Sequence, residues 1–293
     1  MKFITYSKEN HQSIGVLSKD EQYVYELKTL GIDFTDMEEL VKQLTEEDKQ
    51  TIYKHISTTA ATISINDIEI EAPIPSPKRD IICLGVNYTE HAKESAKYKK
   101  EAFAKAEHPV VFSKRVRRAV ADKDGILAHE GFVECLDYEA ELAVIIGKDA
   151  YQVKEENAFE YIFGYTIIND VSAREVQTRH KQWFLGKSLE GFCPMGPCIV
   201  TKEEFEMPPK VNISSKVNGE LRQNSNTELL IFPIAQIISE LSKGMLLEAG
   251  TIIATGTPAG VGMGFDPPKF LKVGDIVECE IEGIGKLTNP VIA

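Results

Sequence analysis

Apolar and polar positions alternate with period two at the start of the chain. MKFITY, SIGVL and YVYEL are short runs of this kind set between polar turns, which predicts three strands. The period then lengthens. In TDMEELVKQL, Met37, Leu40, Val41 and Leu44 recur at helical spacing, and Thr35 with Glu38 has the spacing of a capping box. TEEDKQTIYKHIS predicts a second helix, and ISINDIEIEAP alternates again as a strand. Residues 1–72 are expected to form a small α+β module without a catalytic cluster, with His11 and His55 as surface histidines.

APIPSPKRD, with Pro73, Pro75 and Pro77, predicts a stiff connector over residues 73–79 and a domain boundary there. From residue 80 to 293 the pattern is one of short β-rich runs punctuated by Gly and Pro. KVNGELRQ reads as a hairpin turning at Asn218-Gly219. FPIAQIISELSKG reads as a helix with Pro233 near its start and Gly244 past its end. TIIATGT, DIVECEIEGIG and KLTNPVI supply strands and turns, and there is no internal repeat.

One run breaks the apolar pattern in an informative way. LDYEAELAVIIG places Glu139 and Glu141 two residues apart in a strand-like stretch, so both point to one side, about 7 Å apart along the chain. Two like charges on a mostly buried strand are costly unless something positive lies between them. GYTIINDVSAREVQ is a second buried-looking strand ending at Asp170, which could cap the following turn or supply a third carboxylate. Three hard oxygens with open positions suit Mg²⁺ or Mn²⁺ rather than zinc. Arg174 and Gln177, one turn apart, could grip a substrate carboxylate.

Other candidates are weaker alone. If TEHAKES is a helix, His91 and Glu94 share a face, and a carboxylate that holds an imidazole makes a better-oriented base; a solvent-facing charged pair has the same spacing. Lys187 lies in an apolar, Gly-rich setting, where a buried lysine needs a negative partner; a surface lysine is the plainer alternative. IIATGTPAGVG is a strand running into a Gly/Pro turn whose backbone N–H groups could approach an anion, and it lacks the Gly-Lys-Ser/Thr of a Walker motif. Trp183 reads as packing, and His180 as exposed.

Composition narrows the class. The 293 residues carry 45 acidic and 33 basic side chains, a net charge of −12, which argues against a nucleic-acid partner. The basic run SKRVRR (Ser113–Arg118) reads as a solvated loop or an anion-facing rim. No apolar stretch is long enough to span a membrane, and MKFITYSKEN lacks the apolar core of a signal peptide. The five cysteines form no C-x-x-C pair and fit reduced, mostly buried thiols in a cytoplasmic protein.

Taken together, GVNYTEHAKE, DYEAELAVIIG, GYTIINDVSARE-Q, GKSLEGFCPMGP, VNGELRQ, LEAGTIIATGTPAGVG and KVGDIVECEIEGIGKLTN resemble, in order, a fumarylacetoacetate hydrolase family protein from about residue 80 to 290. The likeness is to bacterial members with a small N-terminal module, in the oxaloacetate-decarboxylating and acylpyruvate-cleaving branch. It implies an α+β fold, a β-rich mixed β-roll with flanking helices, and a homodimer. It implies Mg²⁺ or Mn²⁺ on Glu139, Glu141 and Asp170, a catalytic dyad of His91 and Glu94, Lys187 and Gln177 facing substrate, and Thr257 binding its carboxylate. The segment KESAKYKKEAFAKAEH suits a helical lid. RVRRAVADKDG departs from the family pattern, and its arginines would favour a more acidic substrate at the mouth of the site.

The expected activity is cleavage of a C–C bond in a small 2-oxo acid through an enolate that the cation stabilises as a Lewis acid. Oxaloacetate would lose CO₂, and an acylpyruvate would be hydrolysed by water activated at His91. The alternatives are a 2-hydroxyhepta-2,4-diene-1,7-dioate isomerase or decarboxylase, and a metal-bound protein that docks a partner.

Overall fold

The computed structural model describes residues 1–102 and 107–293. The first strands are β1 (Lys2–Lys8), β2 (His11–Leu17) and β3 (Tyr23–Glu26). Helices α1 (Met37–Gln43) and α2 (Glu46–Thr58) follow, then β4 (Ile63–Ser64) and β5 (Glu69–Ile70). After the prolines come β6 (Ile81–Gly85), α3 (Thr89–Lys99), β7 (Val110–Lys114), β8 (Ile126–Leu127), β9 (Leu136–Asp137) and β10 (Ala140–Ile146). The chain continues through β11 (Ile162–Asn169), β12 (Ser172–Ala173), α4 (Arg174–Arg179), α5 (Phe184–Lys187) and β13 (Met195–Thr201). It ends with β14 (Asn212–Val217), β15 (Glu220–Asn226), α6 (Ile234–Ser242), β16 (Ile252–Ala254), β17 (Ile276–Ile281) and β18 (Gly285–Ile292).

Among the described residues, an 11-stranded sheet runs β4-β3-β2-β1-β13-β11-β10-β16-β6-β7, with β5 beside β1. It is mixed, since β16 and β6 pair in parallel. A five-stranded sheet, β15-β14-β17-β18-β8, packs against it. The first strands extend the same sheet as the later ones, because β1 pairs with β13, Lys2 opposite Val200 and Phe3 opposite Ile199.

β10 is buried along its whole length. Leu142, Val144 and Ile146 face the second sheet and α6, meeting Ile213, Val277, Ile237 and Ile238. The intervening Ala143 and Ile145 face the layer of Phe3, Val16, Met37 and Leu40. Two covered faces explain why this strand is a continuous apolar run rather than an alternating one. Glu139 and Glu141 belong to the Ala143 side by strand alternation.

Three expected elements form differently. The α1 cap is Asp36, which accepts from Glu39 N at 2.7 Å, while Glu39 reaches back to Thr35 N at 2.7 Å. Glu38 instead turns inward and accepts from Lys78 N at 2.9 Å. The run ISINDIEIEAP is not one strand. Ser64 Oγ accepts from Asn66 N at 3.3 Å and starts a 3₁₀ turn over Ile65–Asp67. That turn separates β4, which pairs with β3, from β5, which pairs with β1. The lysine-rich lid helix stops at Lys99, with Lys100 left-handed at φ 58°. Residues 103–106 of that expected lid lie outside the described residues. The hairpin forms as read, with Asn218 at φ 52° and Gly219 at φ 78°. Four cysteines are buried, and Cys135 is half-buried.

Candidate functional site

The site gathers at the ends of central strands. Glu139 lies between β9 and β10, Glu141 inside β10, and Asp170 just past β11. Ala140 pairs with Asn169 across the two strands, which brings the three acids together. Glu139 N donates to Asn169 Oδ1 at 2.9 Å, and Asp170 N to Glu139 O at 2.8 Å. One carboxylate oxygen from each of Glu139, Glu141 and Asp170 lies within 4.8 Å of the others, and all three residues are buried. Asp170 does not cap the turn after it; its carboxylate takes two lysines instead.

Lys187 Nζ stands 2.8 Å from Glu139 Oε2 and 2.7 Å from Asp170 Oδ2. Lys114 Nζ stands 2.7 Å from Asp170 Oδ1. Arg174 places Nε 2.8 Å from Asp137 Oδ2 and NH1 2.6 Å from Glu139 Oε1. Four buried carboxyl groups thus face three buried cations. Burial alone would raise the Glu139 carboxyl, but Lys187, Arg174 and His91 hold it below the ordinary carboxylate range. Burial, with Asp170 and Glu139 alongside, pushes Glu141 well above that range. Burial opposes the charge on Lys187, yet Asp170 and Glu139 keep its pKa above that of an ordinary lysine.

Three hard oxygen donors in this arrangement fit a divalent ion such as Mg²⁺ or Mn²⁺. In the structure the Lys187 ammonium bridges two of them, a monocation where the ligand set calls for more positive charge. The negative partner expected for Lys187 is therefore the protein's own carboxylates.

His91 and Glu94 come from α3. Asn87 fixes the entry to this helix: Nδ2 donates to Phe232 O and Thr255 O, and Oδ1 accepts from Phe232 N. His91 is buried, and its Nδ1 lies 3.4 Å from Glu94 Oε2. A carboxylate only accepts, so Nδ1 carries a proton and Nε2 is the ring nitrogen left to exchange one. Glu94 in turn accepts from Gly260 N at 2.9 and 3.1 Å.

A cavity of about 30 Å³ collects His91, Glu139, Arg174, Gln177, Lys187 and Thr257. Gln177 Oε1 accepts from Arg174 NH1 at 3.3 Å, and Arg174 NH2 has no hydrogen-bond partner among the described residues. Thr257 Oγ1 donates to Ala140 O at 2.9 Å and accepts from Gln223 Nε2 at 2.7 Å. The far wall of the cavity is aromatic. Phe112 and Trp183 meet edge to face at 5.1 Å, Lys187 Nζ lies 5.2 Å from the Phe112 ring, and Lys99 Nζ lies 5.3 Å from the Trp183 ring. Trp183 is thus wall as well as packing, while His180 is exposed.

Two readings of the sequence need correction. The Gly/Pro loop does bind anions through backbone N–H groups, but they are the protein's own. Gly256 N donates to Glu141, Gly260 N to Glu94, and Gly262 N and Met263 N to Asp137. The basic run is not a uniform rim. Lys114 is fully buried at the acid cluster. Arg117 pairs with Glu190 and Arg118 with Glu71, and Arg115, Arg117 and Arg118 line a separate hollow with Ser188–Cys193. They therefore do not acidify the choice of substrate at the mouth of the cavity.

Sequence reasoning missed Lys114 and Asp137. Asp137 did carry a signal, since it continues the two-residue spacing of Glu139 and Glu141 toward the N-terminus.

A β-rich sheet with an inward-facing acid cluster and a histidine–carboxylate pair defines an enzyme-type site. Residues 80–292 match the model of the fumarylacetoacetate (FAA) hydrolase C-terminal family, and the chain belongs to that family of enzymes. It is 41% identical to the oxaloacetate tautomerase YisK of Bacillus subtilis, over 99% of this chain and 100% of that protein. The fumarylacetoacetate hydrolase of Exiguobacterium antarcticum superposes with a TM-score of 0.82 at 38% identity, over 100% of this chain and 99% of the other. A maleylpyruvate hydrolase from Sphingobium sp. SYK-6, solved with manganese(II) and pyruvate, gives a TM-score of 0.79 at 27% identity, with the same coverage.

Proposed function

We propose that this chain carries out enolate chemistry on a small 2-oxo acid, with oxaloacetate as its first candidate, and breaks the C3–C4 bond. The reading rests above all on the three converging carboxylates of Glu139, Glu141 and Asp170 beside a cavity lined by His91. The tautomerase relative and the pyruvate-bound neighbour support the substrate class. Glu139, Glu141 and Asp170 would hold Mg²⁺ or Mn²⁺, which when bound supplies Lewis-acid stabilisation of the charge that develops on the 2-oxo oxygen.

The chain's own residues do the rest. Arg174 NH2 and Gln177 orient the substrate carboxylate, aided by Thr257 if its hydroxyl turns from Ala140 O. With oxaloacetate, the electron pair of the C3–C4 bond passes to C3 as CO₂ leaves. The proton for C3 comes from water: Nε2 of His91, held through Nδ1 by Glu94, takes it from solvent and passes it to C3. With an acylpyruvate, the same Nε2 takes a proton from the water that attacks C4. The Lys187 ammonium lines the cavity beside Glu139 and Asp170 and would face the developing negative charge.

Keto–enol interconversion of oxaloacetate is a second reading, favoured by the name of the 41% identical relative. It needs a proton gained at C3 and one lost from the 2-hydroxyl oxygen, or the reverse, with no C–C bond broken. We also take residues 1–72 as a small N-terminal module built onto the same sheet, and the working unit as a cytoplasmic homodimer, on the family resemblance.

The test is turnover of oxaloacetate and acetylpyruvate, with Mg²⁺ or Mn²⁺ and then with excess chelator, following enol decay and pyruvate release separately. Chelator-sensitive pyruvate release supports cleavage. Enol decay without pyruvate selects tautomerisation. No metal-dependent change in either compound refutes both readings.

A further inference from the structure

We propose that Asp137 is a positioning residue that sets the His91–Glu94 pair in register with the acid cluster. This rests on the reading of His91 and Glu94 as the proton-moving pair.

Asp137 is fully buried at the end of β9 and does not line the cavity, so any effect on chemistry passes through other groups. All its acceptor capacity is directed. Oδ1 accepts from Gly262 N at 2.6 Å and from Tyr138 N at 2.9 Å. Oδ2 accepts from Met263 N at 3.1 Å and from Arg174 Nε at 2.8 Å. Arg174 then uses NH1 to hold Glu139 Oε1 at 2.6 Å. One carboxylate therefore ties the guanidinium that orients Glu139 to the backbone of residues 262–263.

The same short loop seats Glu94 through Gly260 N. It does so only because it is glycine-rich where the carboxylates arrive. A Cβ on Gly264 would sit 2.6 Å from Glu94 Cδ and Oε1, and one on Gly262 would sit 2.7 Å from Asp137 Oδ1. Contacts under about 3 Å to a carbon cannot persist, so a side chain at Gly264 must displace the Glu94 carboxylate, and one at Gly262 must displace the backbone of Lys269, 2.5 Å away, as well as Asp137. The path runs Glu139, Arg174, Asp137, residues 260–264, Glu94, His91. α3 carries both His91 and Glu94, and the seat of Glu94 on this loop fixes the carboxylate that holds His91 Nδ1.

His91 meets Glu94 at the long end of hydrogen-bond range, 3.4 Å, which makes its orientation sensitive to small shifts of that seat.

The variants are Asp137→Asn and Gly264→Ala, each also combined with Glu94→Gln. Asn keeps the shape but turns one acceptor into a donor facing Met263 N–H or Arg174 Nε–H. Asp137→Asn is expected to lower kcat about tenfold to a hundredfold with KM nearly unchanged. In the Glu94→Gln background it should cost only about threefold or less, because the seat no longer has its carboxylate. Gly264→Ala should show the same loss and the same non-additivity.

A second readout does not depend on substrate. Ring ¹⁵N signals of His91, with Mg²⁺ bound, should report one Nδ1–H tautomer in the parent protein and lose that signature in both single variants, while Mg²⁺ affinity by calorimetry holds within about threefold. Failure of the parent to turn over any 2-oxo acid would overturn the proposed reaction but leave the ¹⁵N result to decide Asp137. Effects of Asp137→Asn and Glu94→Gln that multiply, or an unchanged His91 tautomer, overturn the inference. Should Asp137→Asn not fold, Asp137→Glu keeps the charge, moves it by one methylene and is judged by the same outcomes.

Discussion

Replacing Lys114 by Met tests how the acid cluster is balanced. The side chain is 0% exposed. Its ammonium touches Asp170 Oδ1 at 2.7 Å and donates to Val171 O at 3.0 Å and Lys187 O at 2.5 Å. Met has a similar length and an apolar end, so packing is largely kept while the charge and three contacts go. Removing one partner of a buried ion pair leaves the other uncompensated, a loss of about 3–5 kcal/mol. With Glu141 holding its proton, the variant then has three buried carboxylates, Asp137, Glu139 and Asp170, against two cations, Arg174 and Lys187. A divalent ion answers that excess directly. The same substitution that weakens the metal-free protein should therefore tighten its grip on the metal, since a like charge beside the cation has been removed.

The assay is urea unfolding, metal-free and over a Mn²⁺ series. Binding to the native state alone adds RT ln(1 + [L]/Kd), so a tenfold tighter site adds about 1.4 kcal/mol more at the same saturating concentration. We expect Lys114→Met to lose about 3–5 kcal/mol without metal and to regain at least about 1.4 kcal/mol more than the parent when Mn²⁺ is added. A metal-free loss under about 1 kcal/mol would mean that Lys114 is packing rather than charge balance. A Mn²⁺ increment equal to or smaller than the parent's would refute the link between the buried lysine and the metal site.

Other outcomes follow from the same geometry. Because Glu141 is held well above its ordinary 4.5, the metal-free fold binds a proton that the unfolded chain has already released, and its stability falls as pH rises from that value through the raised one. Metal must expel this proton, so Mg²⁺ affinity should weaken about tenfold per pH unit on the acid side of the raised pKa; calorimetry showing one affinity across that range would exclude this. Lys99, the cation over Trp183 on the far wall of the cavity, should favour a second carboxylate on the substrate. Lys99→Met is expected to raise KM about tenfold for oxaloacetate and less than about threefold for acetylpyruvate, and equal changes for the two would remove that role.

The sequence was readable where one neighbour decides the conformation and opaque where several do. β10 could be found because both its faces are covered, which leaves a plain apolar run, and the Asn218-Gly219 turn because its left-handed backbone admits few residues. ISINDIEIEAP alternates as well as any strand, yet Ser64 caps a turn at Asn66 and its two halves join different neighbours, a choice made by β1 and β3 rather than by the run itself. The acids of the site were readable from spacing, since period two puts Glu139 and Glu141 on one side whatever else happens.

The cations that answer those acids were harder to place, for a physical reason. A lysine among SKRVRR has the same local pattern whether it points to water or to Asp170. Only the parallel pairing of β6 with β16 and the antiparallel pairing of β7 with β6 bring the end of that strand under the cluster. Asp137 shows the same limit from the other side. Its spacing continues that of Glu139 and Glu141, but two of its partners are backbone N–H groups more than a hundred residues away, on a loop whose glycines look in sequence like an open anion cradle. The loop is a cradle, filled by Glu94, Asp137 and Glu141 of the chain itself. An anion entering the cavity would therefore have to be met by side chains that line it, Arg174 with its unpartnered NH2 and Gln177 first among them.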